Sequence, residues 1–362
     1  MTQSEPELEH TISPAHIRRL RAENPKMRER DLARTLGISE AEVLASFCGH
    51  GVRRIKPDFD VLFPGLQQAG EVMALTRNES AVHEKIGLFE KFIPGKHAAL
   101  MLGENIDTRM FPSKWAHGFA VEKRDGDTVR HSLQFFDAHG VAVQKIHTRP
   151  ATDLNRWSAL VDDLTVKDQS ECIPGGVTAP PPGPARPDAL ELQNELRERW
   201  EGMTDPHQFH GLLRDLGLDR LSAFSMAGEN WAWKLDAGSV TAMLNHAASE
   251  DLPIMCFVGN RGCIQIHSGP IASLFERGPW FNIMDPTFHL HLRTDHICDV
   301  WAVRKPADTG HVTSLEAYDR EGNQVIQFFG VRSEGNAERS DWRALVEKLP
   351  RLETPTVLGA VQ

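Results

Sequence analysis

The chain has 362 residues, of which 40% are hydrophobic and 25% charged, with a formal net charge of -10 at pH 7 and a mean hydropathy of -0.37. This size and composition predict a soluble protein of about two domains, and the negative charge opposes non-specific binding to nucleic acid or anionic lipid. The acidic start, MTQSEPELEH, has no basic segment followed by an apolar run, so we expect no secretory signal, no membrane insertion and a cytoplasmic location.

The cysteines point away from several classes of protein. Five of them are scattered through the chain, at positions 48, 172, 256, 263 and 298, and none forms a Cys-x-x-Cys pair. An odd number without that motif excludes a disulfide framework, a zinc ribbon and a covalently attached c-type haem, and it fits a reducing compartment.

The first distinct pattern, residues 31–43, has the spacing of a helix-turn-helix with Gly37 at the turn. DNA binding is therefore one alternative function. The second helix would begin with Glu40 and Glu42, and two carboxylates facing phosphate would repel it. We accordingly treat DNA binding as a distant alternative and nucleic acid as an improbable partner.

A proline-rich segment divides the chain near its middle. Residues 171–190 contain six prolines, which favour extended backbone and remove hydrogen-bond donors. We interpret this segment as a linker between an N-terminal repeat, residues 1–170, and a C-terminal repeat, residues 191–362.

Directly after the linker, the segment Thr204 to His210 places two imidazoles at the start of a predicted helix. Thr204 or Asp205 suits the helix cap and Pro206 the first helical position, which puts His207 in the first turn. The positive end of the helix dipole disfavours imidazolium there, and a neutral imidazole is what iron requires. His210 follows on the same face. Two surface histidines remain the alternative, and no His-Glu-x-x-His motif favours a zinc hydrolase.

Short apolar runs bounded by glycine and asparagine, such as residues 254–258 before Gly259, predict strands joined by hairpins. Alternation in Phe288 to Arg293 places His289, His291 and Arg293 on one strand face, which is usually solvated. His83 in the first half is a candidate for a second ligand contact.

The two halves resemble each other at an offset of about 180 to 185 residues. The segments 32–37 and 212–217 each predict a helix ending in glycine, 120–123 matches 302–305, 132–140 matches 314–322, and 157–161 matches 342–346. We therefore predict an α+β fold with a tandem structural duplication, in which each half has helices plus a large antiparallel β-sheet. A cleft between the halves is the expected ligand site.

Four segments resemble the bacterial hemin-degrading or hemin-transport factors of the HemS, PhuS and ShuS type. They are residues 102–109 (LGENIDTR), 205–209 (DPHQF), 303–305 (VRK) and 327–332 (QFFGVR), and the likeness extends over nearly the whole chain. The resemblance implies a haem b ligand or substrate bound in the cleft between the halves.

The resemblance also implies a role for individual residues. It makes His207 the proximal iron ligand and His210 an alternative ligand during transfer, with Arg109 facing the other side of the haem through water or hydroxide. The remaining implied contacts hold the propionates and the pocket wall: Arg220, Lys305, Gln327 and Arg332. Phe329 stands where some relatives have a tyrosine, so one polar contact is missing. Without the resemblance, the same residues equally fit a surface ion pair at Arg109 and an ordinary strand with a surface arginine at residues 327–332.

The haem interpretation leaves two functions open. One is a carrier in haem uptake and iron acquisition that accepts imported haem and delivers it for degradation, with a haem oxygenase or an inner-membrane haem importer as partner. The other is an enzyme that degrades haem, for which Arg109 is the candidate distal residue. The sequence has no strand-GxGxxG-helix fingerprint for a flavin or nicotinamide, so the electrons would come from elsewhere. This favours the carrier.

Overall fold

The computed structural model describes residues 12–173, 189–332 and 336–352 of the chain. The six prolines of the predicted linker fall between residues 174 and 187, outside the described residues. The linker and the domain boundaries around it therefore stay predictions.

The described part of the first half contains helices and strands in the order of the predicted repeat. Its helices are α1 (Pro14–Glu23), α2 (Glu29–Leu36), α3 (Glu40–Ala45), α4 (Phe59–Ala69) and α5 (Leu154–Leu164). Its strands are β1 (Val52–Ile55), β2 (Val72–Arg77), β3 (Ala81–Gly87), β4 (Lys91–Ile93), β5 (Ala99–Leu102), β6 (Asp107–Met110), β7 (His117–Asp125), β8 (Thr128–Phe136) and β9 (Ala142–Thr148).

The second half repeats this order. Its helices are α6 (Ala189–Glu201), α7 (Gln208–Leu216), α8 (Arg220–Ala227), α9 (Ser239–Ser249) and α10 (Ser340–Lys348). Its strands are β10 (Ala232–Leu235), β11 (Ile254–Gly259), β12 (Cys263–Gly269), β13 (Leu274–Arg277), β14 (Trp280–Met284), β15 (Phe288–Arg293), β16 (Asp299–Ala307), β17 (Gly310–Tyr318) and β18 (Gln324–Gly330). Gly37 and Gly217 end α2 and α7 with φ of 67° and 62°, which confirms both predicted glycine caps.

The described strands form two antiparallel sheets of nine strands each. Sheet A has the order β1-β7-β8-β9-β2-β3-β15-β14-β13, and sheet B has the order β10-β16-β17-β18-β11-β12-β6-β5-β4. Each sheet therefore combines six strands of one half with three strands of the other. The duplicated α+β fold is confirmed, and the two halves are joined by strand exchange through the pairs β3 with β15 and β12 with β6.

The inner faces of the sheets pack against each other and against the closing helices. On one side, α9 and α10 cover sheet B together with β14 and β15, and on the other side α4 and α5 cover sheet A. Trp342 of α10 is fully buried and lies against Gly330, where a Cβ atom would stand 2.7 Å from the Trp342 Cβ. Gly330 therefore allows the closing helix to approach β18.

Polar side chains join the two sheets where they cross. The Gln265 amide donates to the backbone oxygens of Ala74 and His83, at 2.9 and 3.0 Å, and also lies 3.0 Å from the His83 Nδ1 atom. His83 is completely buried in this interface. The candidate role of His83 as a ligand contact is therefore wrong, because its ring is enclosed between the sheets.

The N-terminal helices lie on the outer face of sheet A and α6 to α8 lie on the outer face of sheet B. The predicted pair of helices at residues 31–43 is present as α2 and α3, but α3 is almost entirely buried. Glu40 pairs with Arg77 and Lys145, while Glu42 accepts the Ser39 backbone N–H as part of a capping box. Both carboxylates are thus bonded within the fold, and the buried α3 presents no recognition face.

Candidate functional site

The turn before α7 holds the first candidate residue, His207. The helix begins at Gln208, one residue after His207, so the prediction that Pro206 opens the helix is wrong. Asp205 explains the difference, because its Oδ1 accepts the His207 backbone N–H at 2.8 Å and its carbonyl accepts the Gln208 N–H at 3.0 Å. These bonds form a turn that presents the imidazole before the helix starts.

The His207 ring faces outward and can donate the lone pair of a ring nitrogen to a metal. Its side chain is 86% exposed, and its Nδ1 lies 2.7 Å from Asp205 Oδ1. A carboxylate at Nδ1 favours the tautomer in which Nε2 carries the free lone pair, an arrangement also found around metal-bound histidines. The His207 backbone N–H lowers the pKa of Asp205, and the charge of Arg332 adds to this effect, which places Arg332 near the turn.

His210 lies at the surface beside a group of cations. Desolvation by its surroundings, followed by the charges of Arg220 and Lys305, lowers the pKa of His210. The imidazole is therefore neutral at pH 7, which is the protonation state required of an iron ligand. His207 and His210 can each offer a ring nitrogen to a metal at one edge of the site.

A buried carboxylate organises the cations. Arg220 binds Glu316 through two oxygens, with its Nη2 at 2.7 Å from Oε2, while the Lys305 Nζ lies 2.8 Å from Oε1 and the Tyr318 hydroxyl donates to Oε2 at 2.6 Å. Burial alone would raise the pKa of Glu316, but Arg220 and Lys305 outweigh it and hold this pKa well below its usual range. The cluster carries two positive charges and one negative charge.

Phe209 connects this cluster to the histidines. The guanidinium of Arg220 and the ammonium of Lys305 lie 5.1 and 5.0 Å from the centre of the Phe209 ring, which is almost fully buried. Since Phe209 lies between His207 and His210 in the chain, its packing fixes the start of α7 over the cation cluster.

The remaining candidates share the outer face of sheet B. Directly paired residues of antiparallel strands point to the same side, and one such row runs through Asp107, Ile266, Phe257, Gln327 and Glu316. Arg109 and Phe329 each lie two residues from a member of this row and therefore on the same face. Strands of both halves thus contribute to one surface.

The width of this sheet face suits a flat ligand. Three strand spacings separate β18, which carries Gln327, from β6, which carries Arg109, and correspond to about 14 Å. Phe329 packs edge-on against Phe257 in between, with ring centres 5.1 Å apart. Arg109 is paired with Asp107, whose pKa is nevertheless raised by burial. This face, which forms the floor of the candidate site, is thus apolar in the middle and charged at both ends.

The structure therefore groups His207, His210, Arg220, Lys305 and Arg332 around the start of α7, with Gln327, Phe329 and Arg109 along the sheet face. The sequence did not reveal three residues that position the cations: Glu316, Tyr318 and Phe209. The alternation Ser314-x-Glu316-x-Tyr318 in β17, which contains the single tyrosine of the chain, was the available signal. Two imidazoles, an apolar floor and edge cations suit a planar iron porphyrin with carboxylates.

Two features are absent from the part of the chain that the structure describes. Within the described ranges, no helix is long and apolar enough to cross a membrane. The same ranges contain no group of three or more histidine, cysteine, aspartate or glutamate side chains arranged to hold a metal ion. A site for a bare metal ion on such ligands is thus not found there.

Comparison with known proteins gives consistent matches. The family model described as the haemin-degrading HemS.ChuX domain matches residues 37–164 and 217–349. The hemin transport protein HemS of Yersinia enterocolitica is 38% identical over 330 residues, which cover 91% of this chain and 94% of that protein. The hemin transport protein HmuS of Yersinia pestis is 37% identical over the same shares.

Solved structures match over the same extent. Holo-PhuS, a heme-binding protein from Pseudomonas aeruginosa, superposes with a TM-score of 0.90 at 40% identity, covering 94% of this chain and all of that one. ChuS, the heme-degrading enzyme of Escherichia coli O157:H7, superposes with a TM-score of 0.84 at 34% identity, covering 92% of this chain and 97% of that one.

Proposed function

Because the chain belongs to the family of proteins with the haemin-degrading HemS.ChuX domain, present here in two copies, we propose that it is a cytoplasmic haem-binding protein of haem uptake and iron acquisition. In this role it accepts imported haem and delivers it for degradation. The observation that carries the proposal is His207, an exposed imidazole whose Nδ1 is held by Asp205 at the edge of a cation-bordered sheet face.

The site residues have complementary roles towards haem. His207 supplies the Nε2 lone pair to the iron, Arg220, Lys305 and Arg332 attract the propionates, and Phe329 with Phe257 provides an apolar wall. Arg109 and Gln327 offer polar groups at the two ends of the floor. Bound haem supplies the iron that the imidazoles ligate.

The presence of two histidines close together in the chain supports the carrier function over a purely catalytic one. His210 follows His207 by three residues, so an exchange of the iron ligand between them needs no large movement of the chain. A carrier benefits from such an exchange, because the iron can change partners during delivery. A haem oxygenase that receives haem and an inner-membrane importer that supplies it are the proposed partners.

Haem degradation is the second candidate function. It is favoured by the likeness to ChuS, which is named a heme-degrading enzyme and a heme oxygenase. Arg109, at the far end of the same sheet face from the cation cluster, is the residue that would hold a polar group on the distal side. An external reductant would have to supply the electrons.

One experiment separates the two functions. The purified apoprotein is titrated with haemin while the Soret band is followed, and a reductant is then added with catalase to remove free peroxide. A carrier gives a stoichiometric complex that stays intact until a haem oxygenase is supplied. Decay of the Soret band with release of iron and a linear tetrapyrrole identifies the enzyme, and failure to form a complex contradicts both functions.

A further inference from the structure

A cavity of about 880 Å³ lies on the outer face of sheet A, under α2 and the start of α3. None of the eight candidate haem residues lines it. Its floor includes Leu75, Glu84 and Lys145 of the N-terminal half and His291 of the C-terminal half. The cavity is therefore the counterpart, on sheet A, of the site on sheet B.

The internal repeat makes this correspondence residue by residue. Strands β7 and β16 start at His117 and Asp299, and β9 and β18 end at Thr148 and Gly330, an offset of 182 residues in both cases. At this offset Lys123 corresponds to Lys305, Lys145 to Gln327 and His291 to Arg109. The two faces thus place polar groups at the same positions.

The cavity is rich in positive charge. Seven of its lining residues are lysine or arginine and three are glutamate. Glu40 is shared by Arg77 and Lys145, and Lys123 pairs with Glu29, so these charges have partners. The side chains of Arg28, Arg130 and Arg277 have no ion pair or hydrogen bond with any residue in the described ranges. Three unpaired arginines on one cavity attract an anion with more than one charge.

The charge of the cavity also acts on one of its three histidines. Desolvation, followed by the charge of Lys145, lowers the pKa of His147 to about 4. The His147 ring is therefore neutral at pH 7 and adds no positive charge to that of the arginines.

Beside Arg277, the cavity has an apolar wall. Phe275 and Met284 of β13 and β14 are 47% and 40% exposed, and Trp280 lies beside them. Exposed large apolar side chains next to unpaired cations suit a ligand with a flat apolar body and several anionic groups. A small inorganic anion would not contact this apolar wall.

The cavity lacks the feature that defines the site on sheet B. With the glycine caps Gly37 and Gly217 aligned, Met27 stands at the position of His207 and Arg30 at that of His210. The covering helix therefore offers no imidazole. The three histidines that line the cavity, His131, His147 and His291, lie on strands of the sheet.

We propose that this cavity is a second ligand site, for a flat tetrapyrrole that carries carboxylates. The unpaired arginines bind the carboxylates and the wall of Phe275, Trp280 and Met284 contacts the ring system. The choice of a tetrapyrrole rests on the proposed haem function, whereas the anionic and flat character of the ligand follows from the cavity itself. A porphyrin without iron and an opened, linear tetrapyrrole share this chemistry.

The test uses the full chain and two probes, protoporphyrin IX and biliverdin, with binding followed by absorption and ultrafiltration. Arg130→Glu/Arg277→Glu reverses two exposed charges of the cavity, and His207→Ala/His210→Ala removes both imidazoles from the other site. Arg53→Glu/Arg320→Glu, which reverses two exposed charges elsewhere, is the matched control. Circular dichroism and thermal midpoints verify that each variant is folded.

We expect at least one probe to bind in a cavity-dependent manner, with affinity reduced at least about tenfold by Arg130→Glu/Arg277→Glu and unchanged in the control and in His207→Ala/His210→Ala. Equal affinity in the cavity variant and the parent overturns the proposal, as does the absence of binding by both probes. A parent protein that binds a probe in the cavity but binds no haemin contradicts the proposed haem function alone.

Discussion

Lys85 and His267 occupy the same position in the two repeats, and their side chains meet, with Nζ and Nδ1 3.1 Å apart. Their strands, Ala81–Gly87 and Cys263–Gly269, differ by 182 residues at both ends. Gln265 and His83 are equivalent in the same way and also meet. Contacts between equivalent positions arise where an approximate two-fold axis passes between the repeats, so the halves are joined by buried polar groups on that axis.

The first prediction concerns the charge on Lys85. Burial lowers the pKa of Lys85 to about 8 and, with the charge of Lys85, lowers that of His267 to about 3. Because the pKa of Lys85 is lower in the folded than in the unfolded chain, the free energy of unfolding rises as pH increases from about 8 to 10.5, by about 3 kcal/mol. Denaturant unfolding across this pH range measures the rise.

Lys85→Met removes the titrating group, so we expect the rise between pH 8 and 10.5 to disappear and the stability at pH 7 to be maintained or increased. The exposed Lys348→Met serves as the control and keeps the rise. The same pH profile in Lys85→Met and the parent would show that Lys85 is not the group responsible.

The sequence predicted the repeats because local signals define them. The glycine caps Gly37 and Gly217 and the alternation in residues 314–318 are short-range features, and the structure confirms the elements that they mark. Exchange of strands between the halves was not predicted. It depends on long-range pairing of β6 with β12 and β15 with β3, for which a single half carries no local signal.

The same reasoning explains which site residues were found. His207 and Arg109 were identified through short motifs, whereas Glu316 lay in a strand whose only visible property was alternation. A fully buried glutamate is recognised only when Arg220, nearly a hundred positions earlier in the chain, is seen to bind it. His83 and the cationic cavity required knowledge of which sheet face each strand buries.

The second prediction concerns Glu316. Glu316→Gln leaves Arg220 and Lys305 without their buried counter-ion, so we expect the free energy of unfolding to fall by about 3 to 5 kcal/mol at pH 7. Glu347→Gln, which breaks a partly exposed pair with Arg304, should cost less than about 1 kcal/mol. Equal losses in the two variants, measured by denaturant unfolding, would refute the role of Glu316.

The pH dependence of Glu316 has a defined sign. Since the pKa of Glu316 in the folded protein lies well below its usual value, its contribution to stability is present above the unfolded pKa and is lost as pH falls towards the folded one. The difference in stability between the parent and Glu316→Gln should therefore shrink on acidification below about pH 4. A constant difference would contradict this account.

The third prediction concerns Phe329. Phe329→Tyr adds a hydroxyl on the floor of the proposed haem site, and one new hydrogen bond should lower the dissociation constant for haemin between about twofold and tenfold. Phe257→Tyr places a hydroxyl on the neighbouring strand and is the matched control. Titration of all three proteins measures the effect. An equal gain in both variants would indicate a general polarity effect in place of a specific bond.

The most direct test of the account is the haem ligation of His207 variants. Apoprotein is titrated with haemin for the parent, His207→Ala, His210→Ala and the double variant, and the Soret spectrum, affinity and dissociation rate are measured. We predict that His207→Ala shifts to ligation by His210 with faster haem dissociation, that His210→Ala keeps the parental spectrum, and that the double variant loses histidine ligation. An unchanged spectrum, affinity and dissociation rate in His207→Ala would contradict the proposed site.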